Sequence, residues 1–285
     1  MHEVVNHKNS KMKISFIKPR PELRTLIRSI WVFESAVGMP LPDINFAAPN
    51  GCPKLIINYE NSIISIADGI AHESKENGLY FVGIRDIPVQ ISTPERKTGF
   101  IGIEFFPYGA YPILGIPMTE TANSLFSIDV LLNKWGSNLS EALRNTETVI
   151  EKINIIQGKM MESVGKKNLR NPIVEYCVNS LRSTNGLISI SEMECKTGYS
   201  RRYIEMLFKN HIGLSPKVLA GIFRFQKFYK KWANGKSYND LKDELNDYYF
   251  DQAHFIKEFR RMTGFSPLQF THEVSNEFGR LLSLH

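Results

Sequence analysis

Residues 199–216 and 250–267 of this chain align without a gap at an offset of 51 positions. Tyr199-Ser-Arg-Arg-Tyr-Ile-Glu-Met-Leu-Phe208-Lys-Asn-His-Ile-Gly213-Leu-Ser215-Pro216 lies over Phe250-Asp-Gln-Ala-His-Phe-Ile-Lys-Glu-Phe259-Arg-Arg-Met-Thr-Gly264-Phe-Ser266-Pro267. Each copy carries the local signals of one helix. Ser200 or Asp251 is an N-cap whose oxygen accepts from free amides of the first turn. Gly213 or Gly264 supplies a left-handed C-cap, and the following Ser-Pro caps and starts the next helix. Another short helix precedes each copy, over Ser189 to Thr197 and over Tyr238 to Asn246. Helix, tight turn and capped second helix make the helix-turn-helix arrangement, whose second helix enters the major groove of DNA.

The two faces of the repeated helix differ. Ile204, Leu207 and Phe208 point inward and recur as Phe255, Glu258 and Phe259, an apolar match at two of three places. Beyond the cap Ser200, the outward face of the first copy carries Arg201, Arg202, Glu205, Met206, Lys209 and Asn210. That of the second carries Gln252, Ala253, Ile256, Lys257, Arg260 and Arg261. Long donors and bare apolar tips suit phosphates and base edges. The expected DNA-contacting set is Ser200, Arg201, Arg202, Glu205, Met206 and Lys209 in the first unit, and Gln252, Ala253, Ile256, Lys257 and Arg260 in the second. A helical hairpin repeat that only packs, or that binds another protein, is the competing reading.

The charge distribution agrees with a polyanionic partner. Residues 1–169 hold 18 Lys and Arg against 17 Asp and Glu, whereas residues 170–285 hold 17 against 12. Almost everything after Pro172 reads as helix: a first one with Ile173, Tyr176, Cys177, Ser180 and Leu181 inside, ending near Asn185-Gly186, then segments beginning at Ser189, Ser200, Ser215, Tyr238, Asp251 and Ser266, the last running to Phe278. That is a seven-helix, all-α domain. The polar, basic run Gly165-Lys-Lys-Asn-Leu-Arg-Asn-Pro172 sets it off, so the boundaries expected are 1–165 and 172–285.

From Ile14 to Phe106 the chain is punctuated as β structure. Short runs rich in β-branched and aromatic residues (Ile30 to Phe33, Lys54 to Tyr59, Ile63 to Ile66, Leu79 to Ile84, Phe100 to Phe106) alternate with Pro-Asn-Gly, Asp-Gly and Glu-Asn-Gly turns, as in a barrel or sandwich. Helical spacing follows over Ala110 to Leu114, Ser127 to Lys134, Leu139 to Arg144 and Glu147 to Val164. In the last, Val149, Ile153, Ile156, Met160 and Val164 form one stripe that either packs on the barrel or pairs two chains. Strands Lys54 to Tyr59 and Phe100 to Phe106 are expected to line an apolar pocket, a filled core being the alternative.

Residues from about Ile188 to Phe270 resemble the DNA-binding domain of the AraC/XylS family of bacterial transcription regulators. Phe250-Asp-Gln-Ala-His-Phe-Ile-Lys-Glu-Phe-Arg-Arg-Met-Thr-Gly-Phe-Ser-Pro-Leu-Gln-Phe270 is close to that family's signature, and Gly198 to Phe208, Gly213 to Lys217 and Phe223-Arg-Phe-Gln226 also fit. Upstream, Leu26 to Trp31, Pro49 to Ile57, Val82 to Arg85, Gly102 to Gly109 and Leu114 to Pro117 look like the cupin-like N-terminal domain of one branch. The resemblance implies an α+β chain: a β-rich cupin-like sensory or dimerising barrel with a helical extension, then two helix-turn-helix units. Two departures stand out. Glu194, and Glu244 or a neighbour, occupy places where the family has a small residue. Asp247-Tyr248-Tyr249 replaces the Gly-aromatic turn of the second unit.

The partners expected are double-stranded DNA, RNA polymerase, a small-molecule effector and a second copy of the chain, with no membrane and no cofactor. Catalysis by a cupin-type metal needs clustered His and carboxylates. Residues 1–169 hold only His2, His7 and His72, and no metal site is expected. Cys52 in Asn50-Gly-Cys-Pro reads as a turn residue, since no His or acid pattern supports a nucleophile, and His254 reads as a first-turn residue of its helix. The opening residues lack the apolar core of a signal peptide, so a cytoplasmic location is expected.

Overall fold

A computed structural model describes residues 3–5, 12–40, 45–166, 169–236, 238–273 and 276–283. His2, His7 and the Lys167-Asn168 part of the expected linker lie outside them. The fold is α+β. Among the described residues eleven strands lie in the N-terminal part, the last of them after a short helix: β1 (Glu3–Val5), β2 (Met12–Ile17), β3 (Ile27–Ser35), β4 (Phe46–Ala47), β5 (Lys54–Glu60), β6 (Ile63–Ala67), β7 (Ile70–Ser74), β8 (Leu79–Val82), β9 (Val89–Ser92), β10 (Thr98–Phe105) and β11 (Leu125–Ser127). They form a seven-stranded sheet in the order β1-β2-β3-β10-β5-β8-β11 and a four-stranded sheet in the order β4-β9-β6-β7, with antiparallel pairing throughout. Asp68 and Gly69 both have positive φ, 51° and 76°, which is what the two-residue hairpin turn between β6 and β7 requires.

Every residue of β10 is buried, because both faces of the larger sheet are covered. Ile101, Ile103 and Phe105 join Ile30, Val32, Leu55, Ile57 and Phe81 against a helical layer. That layer comprises α1 (Tyr111–Leu114), α2 (Ile128–Arg144) and α3 (Val149–Lys166). Ile153, Ile156 and Met160 are buried in it, so the α3 stripe packs on the barrel. The two α2 segments expected separately run together across a kink at Leu132 and Asn133. On the opposite face, Phe100 packs with Trp31, Phe33, Ile14 and Ile63 between the sheets. Gly102 leaves room there for the Trp31 indole: a Cβ would lie 2.1 Å from Cζ2.

The helical part contains α4 (Pro172–Ser183), α5 (Ile190–Thr197), α6 (Arg201–His211), α7 (Pro216–Ala233), α8 (Tyr238–Leu241), α9 (Gln252–Thr263), α10 (Pro267–Glu273) and α11 (Glu277–Ser283). The segment expected as one helix from Ser266 to Phe278 divides in two, because Asn276 turns its side chain to the β-rich part instead of continuing α10. Asn276 Oδ1 accepts from the N–H of Phe46 at 3.0 Å, and its Nδ2 donates to the Phe46 carbonyl at 2.9 Å. A further difference lies in α8, which gives way to a 3-10 turn over Lys242–Asp247. No helix among the described residues is long and apolar enough to cross a membrane.

Candidate nucleic-acid interface

The first unit is α5, turn, α6. Ser189 accepts from the Glu192 N–H at 3.1 Å while the Glu192 carboxylate accepts from the Ser189 N–H at 2.8 Å, a reciprocal capping box. Gly198 closes α5 in the left-handed conformation, with φ 74°. Ser200 caps α6 through the Tyr203 N–H. Glu194 acts within the unit, its Oε1 accepting from the Arg201 N–H at 2.6 Å. It satisfies a free amide at the positive end of α6 and holds the two helices at a fixed angle.

The second unit closes differently. Tyr248 ends the 3-10 turn at φ −122° and ψ −21°, with no left-handed residue, so Asp247-Tyr248-Tyr249 makes this turn without a glycine and with two aromatic side chains. Tyr249 is buried and packs edge-on to Phe255 with ring centroids 5.1 Å apart. Asp251 caps α9, its Oδ1 accepting from the His254 N–H at 2.7 Å. His254 is thus an exposed first-turn residue.

Inward, Ile204, Leu207 and Phe208 and, from the other copy, Phe255 and Phe259 enter one core with α7. Glu258 is buried too. Its Oε1 lies 3.6 Å from Arg224 Nη2 on α7, over Gly221, where a Cβ would be 2.3 Å from that oxygen. Outward, Ser200, Arg201, Arg202, Met206, Lys209, Gln252, Ala253, Ile256, Lys257 and Arg260 are exposed and Glu205 is half-buried. Arg201 Nε donates to Glu205 Oε1 at 2.9 Å, one turn along. Tyr199 and Tyr203 stack with centroids 5.0 Å apart, both exposed. Phe250, which matches Tyr199 in the repeat, is 94% exposed.

The β-rich part touches both of these helices. Asn210 Nδ2 donates to Tyr111 Oη at 3.4 Å, and the His211 ring lies 4.3 Å from the Tyr111 ring. Burial holds the His211 imidazole below its usual pKa, against an opposing contribution from its contact with the Leu207 carbonyl. Arg261 Nη1 pairs with Asp86 Oδ2 at 2.9 Å. Gln226 of α7 donates to the Pro49 carbonyl at 2.6 Å.

A cavity of about 100 Å³ lies between the sheets, walled by Trp31, Ile56, Ile63, Val89, Phe100 and Phe278 among others. Lys54, Ile56 and Phe100 come from the two strands expected to line a pocket. Sequence reasoning missed Trp31 and Phe278. Trp31 Nε1 and Arg85 Nε are buried without a hydrogen-bond partner among the described residues. Glu104 accepts from the cavity-lining Asn50 at 2.8 Å and lies 3.3 Å from Lys54 and 3.6 Å from Arg28. The Cys52 thiol accepts from Arg28 at 3.5 Å, and burial raises its pKa, so it stays protonated. Among the described residues, no group of three or more His, Cys, Asp and Glu is placed to hold a metal.

Residues 15–127 match a family model described as a domain of unknown function, DUF6597. A comparison with curated proteins gives no match. Among solved structures, the chain is similar to ToxT from Vibrio cholerae O395, with a TM-score of 0.46 and 9% identity over 86% of this chain and 97% of that one. It is also similar to unsaturated fatty acid-bound ToxT from Vibrio cholerae strain SCE256, with a TM-score of 0.47 and 8% identity over 86% of this chain and 96% of that one. A Schizosaccharomyces pombe Cnp3 cupin domain aligns with 36% of this chain and 69% of its own length, at a TM-score of 0.28 and 10% identity.

Proposed function

We propose that this chain is a sequence-specific transcription regulator that binds double-stranded DNA through α6 and α9, with a small-molecule effector in the barrel cavity. The observation that carries the reading is the repeat itself. Two capped helices, each with a buried apolar face and an exposed face of donors, pack on the one helix α7. At 18 residues and about 1.5 Å per residue, α7 is roughly 27 Å long, and in this reading it holds α6 and α9 toward successive major grooves, about 34 Å apart on one side of the duplex. The resemblance to AraC/XylS regulators supports the same conclusion. The reading divides the chain near residues 165–172, places it in the cytoplasm with RNA polymerase as a partner, and assigns it no catalysis.

Gel-shift titration of the full chain on random duplex at several salt concentrations tests it. Affinity that falls steeply with salt is expected, because Lys and Arg release phosphate counterions on binding. An absence of binding at low salt would overturn the reading. Footprints covering a single groove would overturn the geometry of α7.

A further inference from the structure

α11, the last helix among the described residues, packs into the cluster between the two sheets of the β-rich part. Phe278 is 1% exposed, and its ring meets Phe33 edge-on at 5.3 Å and Phe100 at 6.0 Å. Leu281 is buried in the same inter-sheet cluster, and Leu282 packs against it. Asn276 fixes the entry of this helix: besides its two bonds to the Phe46 backbone, its Oδ1 accepts from the Gly279 N–H at 3.0 Å and its Nδ2 donates to Tyr229 Oη at 3.2 Å. Gly279 allows the close approach, since a Cβ there would lie 2.6 Å from the Phe46 carbonyl oxygen. One residue thus binds α11 to a strand of the barrel and to the helix that joins the two candidate reading helices.

Size decides what this does to a ligand. The cavity left beneath α11 is about 100 Å³, with Phe278 and Leu282 as part of its wall. An apolar cavity of about 150 Å³ holds benzene, and small-molecule sites commonly run to about 300 Å³ or more. With α11 seated, the space is divided between this cavity and a neighbouring one of about 220 Å³ that shares Trp31 and Leu282 with it and is also lined by Phe16, Arg28, Ser29 and Glu104, each below the size of an ordinary effector site. A molecule that needs more than either takes volume that Phe278 and Leu282 fill. The rest of the wall is mainly apolar, with Asn50, Lys54, Ser65 and Ser74 among its polar members, and the buried Trp31 Nε1–H and Arg85 Nε–H have no acceptor among the described residues. A ligand that replaces α11 supplies what two side chains of the wall lack.

We infer that α11 is a built-in occupant of the barrel, and that a small apolar molecule carrying a hydrogen-bond acceptor competes with it for the space of Phe278 and Leu282. This rests on the reading of the cavity as an effector site, and names the regulation of that site. Displacing α11 breaks the Asn276 bonds to Phe46 and Tyr229, so an event in the barrel reaches α7 directly.

The test uses the full chain and 8-anilinonaphthalene-1-sulfonate, an apolar fluorescent probe whose sulfonate is an acceptor. Three proteins are titrated: wild type, Asn276→Ala, and the double variant Phe278→Ala with Leu282→Ala, each checked for folding by circular dichroism. Where a competing state must first be vacated, apparent affinity falls by the fraction of open molecules. Both variants should therefore bind the probe about tenfold or more tightly than wild type. Hydrogen exchange on the wild type, which needs no variant, should show the amides of residues 277–283 losing protection as probe is added. Equal probe affinity in all three proteins with unchanged protection of those amides would overturn the competition and leave the cavity as a site. Failure of the emptied double variant to bind the probe would overturn the cavity reading itself, and the competition with it.

Discussion

Arg261 Nη1 on α9 lies 2.9 Å from Asp86 Oδ2 in the loop after β8, and Asp86 Oδ1 in turn accepts from Asn123 at 2.8 Å. A cation on a candidate reading helix is thus neutralised from within the same chain by a carboxylate held in place. A DNA phosphate and Asp86 want the same guanidinium, so pairing within the chain opposes binding to the duplex.

Asp86→Ala should raise affinity for random duplex. A half-exposed pair of this kind is worth about 0.2 to 1 kcal/mol, which limits the gain to about fivefold. Arg261→Ala should act in the opposite sense and reduce the slope of log affinity against log salt by about one. Gel-shift titrations of both variants check this, and a loss of affinity in Asp86→Ala would remove the proposed opposition.

The contact of Arg224 with Glu258 predicts a stability effect. Both side chains are largely buried, at 18% and 10% exposure, and Arg224 also donates to the Gly186 carbonyl at 3.0 Å. Removing one partner of a buried pair leaves the other charge uncompensated, at a cost of about 3 to 5 kcal/mol. Glu258→Ala should show that loss in urea unfolding, whereas Glu258→Leu with Arg224→Met should recover most of it. An unchanged midpoint in Glu258→Ala would mean that α9 is held by Phe255 and Phe259 alone.

What is legible in the sequence follows the range of each interaction. The caps at Ser189, Ser200, Ser215 and Asp251 bond to amides three residues on, so their signal is local and readable. Strands β7 and β9 escape such a reading. In β7, Ile70, Ala71, His72 and Glu73 are all exposed, which removes the alternation that marks a half-buried strand. Glu258 interrupts the apolar match between copies because its partner lies on α7. The division at Asn276 and the burial of Phe278 are beyond reach, since Phe46 is 230 residues away from Asn276 in the chain. Glu194 stands where the AraC/XylS family that the chain resembles has a small residue, and its contact with the Arg201 N–H is visible only in three dimensions.

Glu104 ties the β-rich part to pH. Burial pushes its carboxyl pKa up, but Lys54, Arg28 and Asn50 together outweigh burial and hold it below its ordinary value. A carboxylate with a depressed folded pKa adds stability above its unfolded pKa of about 4.3 and loses it as pH falls through the folded value. Glu104→Gln should therefore cost on the order of 3 kcal/mol at neutral pH, where Arg28 and Lys54 lose their buried counter-charge. The gap from wild type should narrow below about pH 4. Thermal unfolding of both proteins from pH 3 to 8 checks this, and a gap that widens in acid would reverse the sign assigned to Glu104.

On α6, reading bases and holding phosphates fall to different residues. Arg202 and Met206 stand one turn apart on its exposed face, Met206 at 53% exposure. Glu205, beside them, is already paired with Arg201. Arginine donates to guanine, methionine packs on a thymine methyl, and glutamate accepts from cytosine N4 once its own partner turns to a phosphate. Arg202→Ala should cost about 1 to 3 kcal/mol on the preferred site and leave random duplex little changed. Lys209 lies near the far end of α6, where a phosphate is the natural partner, so Lys209→Ala should weaken all sequences alike and lower the salt slope by about one. In the second unit Lys257 takes the place of Met206, but the turn before α9 lacks the left-handed glycine found in the first unit, and Lys257→Ala should cost less discrimination than Arg202→Ala. Titrations of the three variants on preferred and random duplex at several salt concentrations decide it. Equal weakening of both duplexes by Arg202→Ala, together with lost discrimination in Lys257→Ala, would transfer the reading role from α6 to α9.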